Sequence, residues 1–326
     1  MLRKLVNQAE VELLLEPADE PLLVASAIPN AAGIDLPFVL TYRGGSDVGE
    51  PYLPGSSLKG VLRSHAERLS HTFAPNARVC DPHRHDSERG SGSDRVRFCG
   101  DQLRPTRRTQ GTPPPLESHD LYKSSCPICR TFGSTMYRGR FSIGDAYLKT
   151  GERSVIERRD GVGIDRFSGG ASRGVKFEME VLTRGKFLTR MRIENFEDWQ
   201  LGLLALLTRD LEDRFISIGH STTRGLGRLK AQIERFEVSY VAPRSTVLAA
   251  NRIHGVGSLL NEAESKNYGY HLDDYINLSQ PAPLTDKVVR RVQSFGQVDA
   301  RRKLFDDAAA RWAERMENWG QQGVAA

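Results

Sequence analysis

Four cysteines lie within fifty residues of one another in a chain that has no others, at Cys80, Cys99, Cys126 and Cys129. Cys126-Pro-Ile-Cys129 has the C-x-x-C spacing that lets two thiolates bind one tetrahedral zinc ion. Cys80 and Cys99 can supply the other two ligands, so we expect a structural Zn²⁺ site. Free or redox-active thiols are the alternative interpretation of the same residues.

The stretch around these cysteines is basic and polar. Residues 78–108 contain eight arginines and five acids and are almost devoid of aliphatic side chains. So few apolar residues cannot fold an insertion alone, and a bound metal supplies the missing stability. The same basicity fits an exposed nucleic-acid surface, and it fits a solvated loop equally well. If one cysteine is not a ligand, the nearby candidates to replace it are His83, His85 and His119.

A turn of small residues runs directly into a basic helix at residues 51–69, PYLPGSSLKGVLRSHAERL. The hydroxyls of Ser56 and Ser57 can cap the helix, and its first backbone N–H groups lie at the positive end of the helix dipole. Lys59 and Arg63 are four residues apart, so both lie on one helix face. This combination is typical of a phosphate-binding site. An ordinary capped surface helix is the alternative.

A second glycine-rich loop lies at residues 219–230, GHSTTRGLGRLK. Glycines such as Gly225 and Gly227 let the backbone approach a phosphate closely, and Arg224 and Arg228 can neutralise it. The Walker signature G-x-x-x-x-G-K-[ST] is absent from the sequence, which disfavours nucleotide hydrolysis. A tight β-turn that binds nothing is the alternative here.

Composition and hydropathy are those of a globular protein of the cytosol. The chain has 326 residues, of which 39% are hydrophobic and 27% charged, enough for a large core in one elaborated domain or two. No run approaches the apolar length that spans a bilayer. The N-terminus MLRKLVNQAEVELLLEP has acids inside its apolar stretch, unlike a secretory signal. We therefore expect a cytoplasmic protein without a membrane partner.

Apolar periodicity predicts an α+β fold in which helices interrupt a set of strands. The predicted strands lie at 10–16, 22–27, 36–41, 139–148, 175–182 and 229–241. The predicted helices lie at 56–71 and 196–211, and the chain is predicted to be helical after residue 242, ending with a helix at 300–319. The order of the main elements is that of a ferredoxin-like β-α-β-β-α-β sheet with its helices on one face.

The predicted domain organisation follows from these elements. A ferredoxin-like (RRM-like) domain covers residues 1–241, with a zinc-binding insertion at 78–131 and an exposed hairpin at 152–177. A helical C-terminal extension covers residues 242–326. Long polar insertions in such a domain are usually functional.

Several of these motifs together resemble the RAMP superfamily. The resemblance covers about residues 5–240 and rests on the turn-helix YLPGSSLKGVLRSHAERL and on three further segments. These are the C-x-x-C followed by Phe132-Gly133-Ser134, Gly163-Ile164-Asp165-Arg166, and Gly225-Leu226-Gly227-Arg228. Their order is similar to that of the backbone subunit of type III CRISPR–Cas effectors, the Csm- and Cmr-type complexes.

This resemblance implies an RNA-guided role. Members share a ferredoxin-like palm, assemble as a helical filament along a guide RNA (crRNA) beside other effector subunits, and pair the guide with a complementary target RNA. The hairpin at 158–173 is similar to the thumb of the family, which intercalates across the guide–target duplex, and Asp165 would position it. The residues that would bind RNA are Ser56, Ser57, Lys59, Arg63, Arg166, Arg224, Gly225, Gly227 and Arg228.

The resemblance also implies that Asp35 cleaves target RNA. Cleavage in the family depends on an aspartate in a Gly-Gly-x-Asp context before the turn-helix. Gly33 and Asp35 are kept here, and Ala32 replaces the first glycine. A carboxylate beside a scissile phosphate can hold Mg²⁺ or Mn²⁺, or help to deprotonate a ribose 2′-hydroxyl.

Two other functions stay open at this point. Asp35 could only shape a turn, in which case the chain would be a purely structural RNA-binding subunit. The chain could also be a guide-processing endoribonuclease, as some RAMP relatives are. Those enzymes usually use a histidine-centred site, for which the candidates are His65, His71 and His220.

Overall fold

The structure of the chain is a computed structural model. It describes residues 3–26, 33–45, 47–74, 79–80, 99–102, 116–243 and 245–319. The candidate ligands His83 and His85 lie outside the described residues, as does most of the basic stretch at 78–108.

Helices and strands are mixed along the described chain. The helices are α1 Gly55–Phe73, α2 Cys99–Gln102, α3 Ser118–Lys123, α4 Pro127–Phe132, α5 Asp198–Glu212, α6 Val256–Leu259, α7 Glu262–Tyr268 and α8 Val298–Glu317. The first seven strands are β1 Asn7–Pro17, β2 Leu40–Thr41, β3 Glu50–Leu53, β4 Gly133–Ser134, β5 Tyr137–Arg138, β6 Phe141–Ile143 and β7 Ala146–Leu148. The remaining strands are β8 Val155–Ile164, β9 Ala171–Arg184, β10 Phe187–Glu194, β11 Leu229–Val241, β12 Arg252–His254, β13 Tyr275–Asn277, β14 Thr285–Lys287 and β15 Arg290–Ser294.

A large antiparallel sheet organises these elements. Its strands lie in the order β14-β15-β11-β1-β10-β7-β3-β2, and β6 also pairs with β10. The longest ladders join β1 to β10 on one side and to β11 on the other. The prediction of a mixed α+β fold is therefore confirmed.

The core lies between this sheet and the long helices. On β1 the apolar side chains of Ala9, Val11, Leu13 and Leu15 are buried at every second position, as strand geometry requires. Helix α5 packs against both β11 and α8. Because α5 is covered on more than one side, eleven of its fifteen residues are buried, including Trp199.

Strands β8 and β9 form a two-stranded hairpin apart from the main sheet. The hairpin predicted within 152–177 therefore exists, and its second strand continues to Arg184. Most of β8 is exposed, and the ring of Phe167 at the tip is fully exposed. Isolated bridges from Leu22 and Leu36 fix the base of β9 to the rest of the molecule.

The chain after residue 242 contains strands as well as the predicted helices. Strand β15 pairs with β11 and so extends the main sheet, and α8 packs on α5 with Trp312 buried. Strands β12 to β15 have only three or five residues each. Such short strands lack a periodicity of their own and form by pairing with one another or, for β15, with β11, which is why the sequence did not predict them.

Three predicted strands form only in part. The strand predicted at 36–41 is reduced to β2 with isolated bridges from Leu36 and Phe38. The run predicted at 22–27, of which residue 27 lies outside the described residues, makes single bridges from Leu22 and Ala25 instead of a ladder. Although this run forms no regular strand, Leu22 and Leu23 are completely buried and contribute to the core. The strand predicted at 139–148 is divided into β6 and β7, and Gly144 and Asp145 lie between them.

Candidate functional site

The four cysteines assemble into one buried cluster. Their Sγ atoms all lie within 4.8 Å of one another, and the Sγ of Cys80 is 3.5 Å from Cys99, 3.6 Å from Cys129 and 3.7 Å from Cys126. Four sulfurs around a tetrahedral zinc, each about 2.3 Å from the ion, would lie about 3.8 Å apart. All four residues are unbridged thiols. The cluster can therefore bind a metal such as zinc.

Backbone N–H groups are directed at the sulfurs of this cluster. Cys99 donates to the Sγ of Cys80 at 3.2 Å, Cys126 to that of Cys99 at 3.3 Å, and Cys129 to that of Cys126 at 3.4 Å. Such bonds stabilise thiolates that act as metal ligands. Hydrogen bonds from Cys129, Cys80 and Cys99 hold the pKa of Cys126 well below its ordinary value. The pKa of Cys80 is also lowered, whereas hydrogen bonding to Cys126 raises the pKa of Cys99 and Cys129, and a cation in the centre would favour the thiolate forms of these two.

His119 lies outside the cluster. It is on α3, where its Nε2 is 3.5 Å from a carboxylate oxygen of Asp120 and its ring contacts that of Tyr268. The described residues thus supply four cysteine ligands without a histidine substitute.

Arg63 lies against the cysteine cluster. Its Nη2 donates to the Sγ of Cys129 at 3.7 Å, its Nη1 to the carbonyl of Gly133 at 3.1 Å, and its Nε to Glu67 at 2.9 Å. Three of the five N–H donors of the guanidinium therefore have partners within the protein. Lys59, on the same helix face, donates to the carbonyl of Phe141 at 3.3 Å.

The start of α1 is capped differently from the prediction. The N-cap residue is Pro54, so the predicted capping by Ser56 and Ser57 is wrong. Instead Oδ1 of Asp145 accepts the N–H of Gly55 at 2.7 Å. This hydrogen bond requires the start of α1 to lie close to the turn between β6 and β7. A Cβ on Gly55 would lie only 2.8 Å from the backbone of that turn. Both serines remain exposed on the first turn of the helix.

A groove of about 730 Å³ lies beside the first half of α1. It is lined by Ser56, Lys59 and Arg63 of α1, by three of the four cysteines (Cys80, Cys99 and Cys129), and by Tyr137 and Arg138 of β5. Burial lowers the pKa of Lys59, and the charges of Arg63 and Arg138 lower it further. Three cations therefore lie near one another in the groove, and an anion bound there would relieve their repulsion.

Asp35 lies at the base of the β8–β9 hairpin. Its Oδ2 accepts the N–H of Glu178 at 2.8 Å, and the N–H of Leu36 donates to the carbonyl of Glu178 at 3.0 Å. The carboxylate of Glu180 accepts the N–H of Phe38 at 3.0 Å. This segment is thus fixed to β9, while the Asp35 side chain stays exposed.

The glycine loop at 219–230 lies beside the same hairpin base. Its Leu226 is buried in an apolar cluster that also takes residues from the Asp35 segment and from β9. The members of this cluster are Leu23, Val181 and Leu226, with Leu36 and Met179 packed against them. Asp35, the glycine loop and the hairpin base therefore form a second group of predicted site residues.

Gly225 and Gly227 differ in what surrounds them. Gly227 is buried with a φ of +97°, and a Cβ there would lie 2.5 Å from the carbonyl oxygen of Ile218. Gly225 has a φ of +77°, is exposed, and faces open space. Gly227 is therefore required by the shape of the loop, whereas a ligand can approach Gly225.

The three predicted arginines outside α1 are all exposed. Arg224 donates to the hydroxyl of Ser221 at 2.8 Å, and the Nε of Arg228 lies 3.7 Å from Glu20. Arg166 lies at the tip of the β8–β9 hairpin. Ion pairs at such exposed positions are weak, so these side chains can exchange their partners for a phosphate.

Asp165 orders the tip of the hairpin, as expected. Its Oδ1 accepts the N–H of Ser168 at 2.7 Å, the hydroxyl of Ser168 at 2.9 Å and the N–H of Phe167 at 3.1 Å. These bonds, those from Ser168 foremost, lower the pKa of Asp165. The carboxylate of Asp165 therefore stabilises the turn, and the turn holds Phe167 in its exposed position.

Comparison with known proteins identifies the class. The sequence model of the RAMP superfamily matches residues 40–230, more than half of the 326 residues. The chain belongs to the RAMP superfamily. Membership indicates a CRISPR-associated RNA-binding subunit with RNA and CRISPR-complex components as its partners. No curated protein matches the chain.

The matched range includes α1, the cysteine cluster and the glycine loop, whereas Asp35 precedes it. In the ranges that the structure describes, no helix is both long and apolar enough to cross a membrane.

Proposed function

We propose that the chain is the guide-RNA-binding backbone subunit of a type III CRISPR effector of the Csm or Cmr type. The observation that carries this proposal is the groove beside α1, where Lys59, Arg63 and Arg138 bring three positive charges to one surface. In RNA-guided systems the protein holds the RNA backbone through such charges, and base pairing reads the sequence. The exposed Ser56 and Ser57 add hydroxyl donors at the same end of α1.

The strand order supports a ferredoxin-like palm for this subunit. The central strands β11-β1-β10-β6 lie in the order fourth, first, third and second of a β-α-β-β-α-β unit whose helices are α1 and α5. The β8–β9 hairpin projects from it as the proposed thumb. An exposed Phe167 at its tip has the size and apolarity to intercalate between base steps, and the neighbouring Arg166 would contact a phosphate.

The glycine loop is the second proposed contact with the guide. Arg224, Gly225 and Arg228 are exposed there and would bind the backbone, while Gly227 shapes the loop from inside. Copies of the chain would follow one another along the guide RNA, with the target RNA paired to it and other effector subunits at the ends.

The four-cysteine cluster would hold a structural Zn²⁺. The residues fit the ion, because four sulfurs lie at nearly tetrahedral spacing and backbone N–H groups stabilise their negative charge. Zinc would fix α4 and the β4–β5 hairpin against α1. Its role here is to build one wall of the groove.

Cleavage of the target RNA at regular intervals is the proposed enzymatic step, with Asp35 as the catalytic residue. The Asp35 carboxylate would take the proton of a ribose 2′-hydroxyl, whose oxygen then attacks the adjacent phosphorus. The bond from phosphorus to the 5′-oxygen breaks, leaving a 2′,3′-cyclic phosphate, and the departing 5′-oxygen takes a proton from water to become a 5′-hydroxyl. Around Asp35 the described residues form no group of three metal-binding side chains. In the proposed step Asp35 therefore acts as the base by itself, without the Mg²⁺ or Mn²⁺ that the resemblance implies.

A non-catalytic subunit is the second candidate. The hydrogen bond from the N–H of Glu178 gives the Asp35 carboxylate a structural role. That role alone would explain why an aspartate stands at this position. A guide-processing nuclease has less support, because His65 is engaged with Asp210 at 2.6 Å between α1 and α5.

The RNA that co-purifies with the chain tests the proposal. We expect guide RNA with a repeat-derived 5′ end, bound in fixed proportion to the protein. Unselected cellular RNA, or protein without RNA, would contradict it. Addition of complementary RNA then separates the two candidates, since only a catalytic subunit produces fragments of regular length.

A further inference from the structure

We propose that Arg138 binds an RNA phosphate in the groove that it lines together with Lys59, so that both cations hold the guide. This inference rests on the proposed function, because it assigns the contact surface of the same RNA. Sequence motifs do not single out Arg138. Only the structure brings it, from β5, to the groove that Ser56 and Lys59 line from α1.

The position of Arg138 is fixed by its surroundings. Gly133 and Gly139 flank the β4–β5 hairpin, and a Cβ on Gly139 would lie 2.2 Å from the backbone of Phe132. The carbonyl of Gly133 also accepts a hydrogen bond from Arg63. The hairpin follows directly after α4, the helix that carries Cys129. Its position is therefore coupled to that of the cysteine cluster.

The unpaired positive charges in the groove favour a bound anion. Arg63 has Glu67 as its counterion, whereas Lys59 and Arg138 form no ion pair in the part of the chain that the structure describes. Two like charges that share a groove without a carboxylate repel each other. A phosphodiester of single-stranded RNA is an anion of the right class, since it accepts from ammonium and guanidinium donors alike.

The geometry also distinguishes Arg138 from the other candidate cations. Arg63 is held by its internal partners, so its removal disturbs the fold as well as the charge. The side chain of Arg138 is exposed, and its removal leaves the groove wall intact. Arg138 is therefore a residue of this groove at which RNA affinity can be changed without a change in stability.

The experiment measures the affinity of the purified chain for a fluorescein-labelled single-stranded RNA by anisotropy across a salt series. The variants are Arg138→Gln, Arg138→Lys and Lys59→Gln, with Arg302→Gln on the exposed face of α8 as the matched control. We expect Arg138→Gln to raise the Kd about ten-fold at low salt. The slope of log K against log salt should fall by about 0.7, and Arg138→Lys should restore most of the slope.

Each outcome has a definite meaning. An Arg138→Gln protein that binds like the Arg302→Gln control, while Lys59→Gln binds weakly, overturns the Arg138 assignment and leaves the proposed function standing. If the unsubstituted chain binds no RNA, the proposed function fails instead. Thermal unfolding of Arg138→Gln should match that of the unsubstituted chain. A lower midpoint together with unchanged affinity would make Arg138 a structural residue and would also overturn the assignment.

Discussion

Arg63 donates a hydrogen bond from its Nη2 to the Sγ of Cys129 at 3.7 Å. The two residues are 66 positions apart in the chain, and they belong to the two motifs that are most informative in the sequence. Helix α1 and the cysteine cluster are therefore one structural unit. RNA binding and metal binding should then depend on each other.

Arg63 should matter for stability more than Lys59 does. Arg63→Ala removes the partner of the buried Glu67 and two further hydrogen bonds, so we expect a loss of about 2–4 kcal/mol in the free energy of unfolding. Lys59→Ala is the matched control on the same helix face, with an expected change below about 1 kcal/mol and weaker RNA binding. Urea titration measures both. Equal losses would mean that Arg63 is not tied to the cluster.

Asp35 can be tested in a way that separates charge from structure. Asp35→Asn keeps an oxygen that can accept the N–H of Glu178 but cannot take a proton at neutral pH. We expect Asp35→Asn and Asp35→Ala to lower target cleavage by about a hundred-fold or more, with guide affinity unchanged. Gel analysis of labelled target RNA measures the rate. Full cleavage by the Asn variant and none by the Ala variant would assign Asp35 a structural role.

Metal content should follow the four cysteines. We expect about one zinc per purified chain, with most of it lost in Cys129→Ser and none in His119→Asn. Elemental analysis makes the measurement. Chelation should lower the thermal midpoint and weaken RNA binding together, because the β4–β5 wall loses its support. Zinc loss in the His119 variant would show that the ligand set is different.

Helix α8 should be essential for the stability of the sheet. The buried Asp198 accepts from Arg311 at 2.7 Å and from Arg315 at 3.1 Å, both on α8. Asp198→Ala leaves two arginines without this partner, and we expect a loss of about 3–5 kcal/mol in urea unfolding. Asp306→Ala is the control, because the Asp306 side chain in its pair with Arg209 is exposed and should contribute less than about 1 kcal/mol. Similar small losses would show that α8 is only loosely attached.

The same helix should make the protein sensitive to acid. Burial raises the pKa of Asp273, but hydrogen bonds and charges from Arg315 and Arg311 offset this and leave the pKa below its ordinary value. A carboxylate of that kind stabilises the fold above its unfolded pKa and loses the contribution as pH falls through the folded one. Unfolding midpoints between pH 6 and pH 3 should therefore fall less in Asp273→Asn than in the unsubstituted chain. Parallel curves would exclude this contribution.

The features that the sequence predicts well are local in the chain. The C-x-x-C spacing indicated the metal cluster, and alternation predicted β11 with the bounds that the structure has. Features that depend on distant contacts were missed. Asp145 caps α1 from 90 residues away, and Arg138 lines the same groove as Lys59 although the two residues lie far apart in the sequence. No spacing rule in a single sequence contains such a relationship.

The distant pairing partners of strand β1 affect how the chain folds during its synthesis. Its partners are β10 and β11, so β1 leaves the ribosome long before its neighbours and can pair with both only when residues 187–241 have been synthesised. Until then an apolar strand with two unpaired edges is exposed to other chains. Folding dominated by such long-range pairing is slow and open to aggregation. We therefore expect yields of this protein to depend on chaperones and on slow translation more than on the stability of the finished fold.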